Sequence, residues 1–222
     1  MLGLPVSTEI SKQLPKKAIY AKFDLKPAQR DRFDADISKL TIVNAISSTT
    51  IPALQKGEDV ECIYVIDVAL KRPDYDPKNI QMLSKLIPQN IVFAMHYEDK
   101  IQLAVYHNKL ITGVWANVDD YQIELKGLNL DKIWESLITD LGDITIQDGK
   151  SLDEQIAVDE AKAKLEKQIA YLEKKARSEK QPRKRLEYFD KLKQLKMEFH
   201  AKYWDILDVP SRLQQHWRSS LW

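Results

Sequence analysis

The chain has 222 residues, 44% hydrophobic and 30% charged, with 34 Lys and Arg against 33 Asp and Glu for a formal net charge of +1. That length holds one core of ordinary size plus an appendage and excludes two large domains, and the apolar fraction marks a folded chain. Cys62 is the only cysteine, which excludes an internal disulfide and a cysteine-built zinc site.

Residues 18–23 read as a short strand. Lys26-Pro27 places proline in the first turn of a helix that Phe33 and Ile37 mark on one face. Residues 40–54 fit either an extension of that helix or a new strand, and Pro52 with Gly57 marks a loop. From 60 to 70 the run is almost unbroken apolar and β-branched, as in a central strand buried on both faces, with Cys62 as a buried thiol and Asp67 as the interruption. Asp76-Pro77 is a cap and first turn for a helix carrying Ile80, Leu83 and Ile87, which Pro88 ends.

Residues 91–97 and 101–107 form two strands separated by Glu98, Asp99 and Lys100, the length of a hairpin loop. Residues 110–115 and 121–125 extend the sheet by two further strands. Asn129 caps a helix with Leu130, Ile133, Trp134, Leu137, Ile138 and Leu141 on a broad apolar face, terminated by Gly142 and lying across the sheet. Residues 143–150 join this body, residues 1–145, to the C-terminal third of the chain.

The tract 151–207 has the pattern of two amphipathic helices folded back on each other. Val158, Ala161, Leu165, Ile169, Leu172 and Ala176 step by three and four, leaving Glu160, Lys164, Lys167 and Lys174 off the stripe. Tyr188, Leu192, Leu195, Phe199, Tyr203 and Ile206 repeat the spacing. Each helix would be about 40 Å long with only its stripe apolar, so the two halves are expected to pair antiparallel as a coiled-coil hairpin. Pro182 cannot continue the first helix but suits the first turn of the second, which sets the bend between Arg177 and Arg183. Residues 208–222 form a tail in which Trp217 and Trp222 are expected to fold back rather than build a ligand platform.

Around the bend, Lys174, Lys175, Arg177, Lys180, Arg183, Lys184 and Arg185 stand against only Glu173 and Glu179. Residues 151–222 carry 16 Lys and Arg against 12 Asp and Glu, leaving 18 against 21 in the first 150. A basic arm on an acidic body suits a nucleic-acid backbone or an acidic protein surface, while a Lys-rich face that only keeps a surface helix soluble gives the same pattern. No aromatic residue lies within 174–185, so reading of bases by stacking is not expected.

Phosphate-cradling loops are absent, because no two of the six glycines lie closer than seven residues, and no Gly-x-Ser-x-Gly elbow occurs. His96 and His107 sit on neighbouring strands, but the expected register sets Tyr97 against Ile101 and His96 against Gln102. His107 is then about 17 Å away, too far to share a metal. With His200 and His216 in the arm and tail, all four histidines read as structural or solvated. A magnesium nuclease needs an Asp at a strand end and a Glu-x-Lys on the neighbouring strand. Glu98 with Lys100, and Glu124 with Lys126, fit that triplet, with Asp67 or Asp74 upstream. Against this, the first triplet occupies a tight turn and the second has its nearest acids, Asp119 and Asp120, only four or five residues away. No run nears the roughly eighteen apolar residues of a membrane span, and residues 1–6 lack the regions of a signal peptide, so a soluble cytoplasmic protein without a cofactor is expected.

Leu4-Pro5 through Lys16, the Thr50-Ile51-Pro52 step, Ile87-Pro88-Gln89 leading into 91–97, the strand 102–106, and the arm segments 172–177 and 179–181 together resemble the bacterial domain-of-unknown-function family DUF4391 over nearly the whole length. The resemblance implies an accessory role beside helicases, DNA methyltransferases and restriction-type nucleases of defence clusters, and it implies no catalytic residue. The expectation is thus an α+β protein with a mixed, mostly antiparallel sheet, packed helices and a C-terminal helical hairpin. It would act as a non-enzymatic adaptor towards an operon-encoded helicase, methyltransferase or nuclease, or towards DNA or RNA. Pairing of the stripes with a second copy, giving a homo-oligomer, is a third reading.

Overall fold

The computed structural model describes residues 2–203. Ile206, His216, Trp217 and Trp222 therefore lie outside the described residues. The chain divides into two compact units, Met1–Thr145 and Ile146–Trp222.

The first unit is α+β. Among the described residues its strands are β1 (Glu9–Gln13), β2 (Ile37–Ile46), β3 (Ile63–Leu70), β4 (Asn90–Tyr97), β5 (Lys100–His107), β6 (Lys109–Thr112) and β7 (Ala116–Asn117). They form one sheet in the order β1-β2-β3-β4-β5-β6, with β7 also pairing β5. Every pairing is antiparallel except β3 with β4, whose crossover contains helix α3 (Pro77–Leu83). Helices α1 (Lys16–Lys22) and α2 (Pro27–Asp36) precede β2, and α4 (Leu130–Gly142) packs on β5 and β6.

Strand alternation divides the core between the two faces of the sheet. Ile66, Val68, Phe93, Met95 and Ala104 join Ile19, Phe33, Ile80 and Leu83 of α1, α2 and α3 in one cluster. The intervening residues, Val65, Asp67, Val92, Ala94, His96 and Leu103, therefore face the other way.

Asp36 is fully buried, yet all its acceptor capacity is used. Its Oδ1 accepts from Arg72 at 2.6 Å, and its Oδ2 accepts from the Asp76 N–H and the Asn79 amide, both at 2.8 Å. It ties α2 to the start of α3.

Several expectations are corrected. Residues 18–23 are not a strand: Lys16, Ile19, Tyr20 and Phe23 are the less exposed positions, a helical i, i+3, i+4, i+7 set, and they lie in and just after α1. Ile37 opens β2 instead of extending the helix face. α3 stops at Leu83, where the chain tightens into i to i−3 bonds from Lys85 to Met82 and Leu86 to Leu83, and the Ser84 hydroxyl donates to the Gln81 carbonyl. Residues 121–125 form no strand, although Ile123 N–H donates to Leu2 O at 2.9 Å. α4 runs through Gly142, and Asp143 takes the left-handed closing position at φ 48°. Cys62 precedes β3 and is half-buried, and burial raises its thiol pKa. The exposed strand β1 was not foreseen, because its sequence EISKQ shows no apolar alternation.

The β4–β5 hairpin turns on two residues rather than three. Glu98 adopts φ 52°, as the first position of a tight hairpin turn requires, so Lys100 pairs with Tyr97 and His96 with Ile101. His107 then lies six positions beyond the partner of His96, about 20 Å away.

Candidate contact surface on the helical hairpin

In the second unit, helices α5 (Leu152–Ser178) and α6 (Pro182–Tyr203) pack against each other. α5 begins with a reciprocal cap. The Ser151 hydroxyl accepts from the Glu154 N–H at 3.3 Å, and the Glu154 carboxylate accepts from the Ser151 N–H at 2.8 Å. At the other end Lys175 and Arg177 oppose the helix dipole, and residues 179–181 make the bend before Pro182.

Leu165, Ile169, Leu192 and Tyr203 form the buried seam, flanked by Val158, Leu172, Leu195 and Phe199, with Ala176 also buried. Ala161 is exposed, and half-buried Lys162 takes its place on the seam. The steps 158, 162, 165, 169, 172 and 176 then alternate four and three, the 3.5-residue repeat of a coiled coil.

The seven cations named from sequence line the bend and its two flanking turns, and all are exposed. Glu173 is drawn into a 2.9 Å pair with Lys196 of α6. Glu179 accepts from the Gln181 N–H at 3.0 Å, acting within the turn. Among the described residues, the ion pair made by the seven is Arg183 with Glu187 at 3.9 Å, the weak limit of such a contact. Positive charge is thus concentrated at this end with little local compensation.

Sequence reasoning missed the apolar surface beside it. Leu186, Phe189 and Met197 are 62%, 43% and 55% exposed, and with Lys193 they run along α6 about 100° round from the buried seam. The Arg185 guanidinium lies 5.7 Å from the Phe189 ring centroid, and Lys175 Nζ lies 5.6 Å from that of Tyr171, itself 59% exposed. The expectation of no ring at the tip holds for 174–185 but fails one turn further out. Its signal in the sequence is a second stripe, 186, 189, 193 and 197, broken by Lys193 and separate from the stripe that forms the seam.

The nuclease candidates are scattered. Lys126 is paired with Glu124 at 3.1 Å and Asp140 at 2.9 Å, so its charge is already engaged. Glu98 and Lys100 sit at the β4–β5 turn, and Asp74 is exposed in the loop before α3. Asp67 lies opposite Ala94, four positions from Glu98 and about 13 Å away at strand rise, beyond the reach of one ion. Among the described residues, no three His, Cys, Asp or Glu side chains are placed to hold a metal. No described helix is long and apolar enough to cross a membrane.

Comparison with known proteins finds no match among curated proteins and none among solved structures. A family model described as domain of unknown function (DUF4391) matches residues 2–199, and the chain belongs to that family.

Proposed function

We propose that the chain is a cytoplasmic, non-enzymatic accessory protein of a bacterial nucleic-acid-processing or phage-defence system. Its hairpin tip docks on an acidic protein surface of a helicase, methyltransferase or nuclease. The single observation behind this reading is the juxtaposition of exposed, scarcely compensated cations at 174–185 with exposed Leu186, Phe189 and Met197. A phosphate backbone has use for the cations but none for the apolar stripe, whereas protein interfaces combine polar rims with apolar and aromatic anchors. The class of partner enzyme rests on the gene-neighbour expectation attached to the family resemblance.

Photocrosslinking tests this. With p-benzoylphenylalanine in place of Phe189, the reading expects a crosslink to a second protein in host cells, lost when Arg183, Lys184 and Arg185 are changed to Glu. A crosslink to another copy of the chain would replace it with homo-oligomerisation. Tight binding to a short DNA duplex that falls steeply with salt and vanishes in the same triple variant would replace it with a phosphate-backbone contact.

A further inference from the structure

The sheet face away from α1, α2 and α3 carries a cavity of about 240 Å³, lined by Val43, Asp67, Ala94, His96, Ile101 and Tyr121 among others. Its walls come from β2, β3, β4 and β5 and from the segment 118–122, which the Leu2–Ile123 hydrogen bond holds in place. Most of the strand-derived lining is apolar. Asp67 and His96 are the exceptions; Asp67 stands on β3 between Val65 and Ala69, at positions that alternation directs to the same face.

Asp36, the buried carboxylate of the other face, is held by Arg72, Asn79 and a backbone amide. Among the described residues Asp67 accepts no hydrogen bond and forms no ion pair. Burial raises its pKa, with the charges of His96 and Lys39 acting the other way. A partly desolvated carboxylate with no hydrogen-bond donor costs stability, and perturbed acids concentrate at functional sites. Asp119 adds a second carboxylate at the exposed rim, and Tyr121 and Gln122 add further polar groups.

We propose that this cavity binds a small organic cation, a protonated amine or guanidinium on a short apolar tail, with Asp67 accepting its N–H groups. The volume is below the roughly 300–1,000 Å³ of sites for drug-sized ligands, which restricts the occupant to a few carbons beside the charged group. Val43, Ala94 and Ile101 would cover the tail, and Asp119 would complete the negative environment. This site is independent of the hairpin surface.

The test is an amide-shift NMR titration of the whole protein with n-propylguanidinium chloride at constant ionic strength, with tetramethylammonium chloride as a cation lacking N–H donors. The expected result is saturable shifts in β3, β4 and 118–122 for the first salt and none for the second. Asp67→Asn, nearly the same shape without the charge, should weaken binding by about tenfold or more. Equal response to both salts or an unweakened Asp67→Asn variant would overturn the proposal.

Discussion

Glu173 of α5 and Lys196 of α6 meet at 2.9 Å, with side chains only 33% and 16% exposed. The pair crosses the hairpin, which takes one of the two anions near the bend away from the cations there and uses it to fix the two helices in register. A double-mutant cycle with Glu173→Gln and Lys196→Met should give a coupling of about 1 kcal/mol, at the upper end for such pairs because both groups are partly covered. Urea unfolding monitored by helical circular dichroism measures it, and additive single-variant effects would show that the pair fixes nothing.

Asp131, in the first turn of α4, holds the loop before β3. Its carboxylate accepts from the N–H groups of Glu58 at 2.6 Å, Val60 at 2.8 Å and Asp59 at 3.2 Å. Burial alone would raise its pKa, but these bonds outweigh it and hold the group below the ordinary 3.8. The stability it contributes is thus present above that value and is lost as pH falls through the lower folded value. Asp131→Ala should cost about 2 kcal/mol at neutral pH and much less in acid. Gly57→Ala should also destabilise, because a Cβ there would lie 2.2 Å from Asp131 Oδ1. Thermal melts across pH check both.

Asp67 has the opposite sign. Burial keeps its proton on in the folded chain to a higher pH than the ordinary 3.8. The unfolded state therefore loses its proton first, and stability falls as pH rises from about 3.8 through the folded value. Asp67→Asn should raise the melting temperature at pH 7 by a few degrees and leave it nearly unchanged near pH 3. A lower melting temperature at pH 7 would mean that the carboxylate has a structural partner after all.

The pairing of α5 with α6 was legible, because a coiled-coil seam is a local repeat and Pro182 punctuates it. In the body, β3, the β4–β5 hairpin and α4 were legible for the same reason: each announces itself by an unbroken apolar run, a short turn or a broad apolar face. What failed depends on tertiary context. Residues 18–23 carry too few apolar positions to show a helical period in the sequence, and only the packing of Phe23 and the Lys16 stem reveals it. β1 has no pattern of its own and exists because β2 offers it an edge.

The site divides in the same way. The cations were visible as composition, whereas the Leu186, Phe189 and Met197 stripe became meaningful only once Leu192 and Leu195 were seen to occupy the seam. In the sequence Asp67 is an interruption of an apolar strand and one of two upstream acids of the alternative nuclease reading. Its register opposite Ala94 separates it from Glu98 and places it in a cavity instead.

The central claim is that the hairpin tip makes the partner contact. Quantitative co-purification from host cells, comparing the wild type with the Arg183→Glu, Lys184→Glu, Arg185→Glu variant, tests it most directly. The partner enzyme is expected to be retained by the wild type and lost from the variant, with unchanged helical circular dichroism. Equal retention of the same enzyme by both proteins would contradict it.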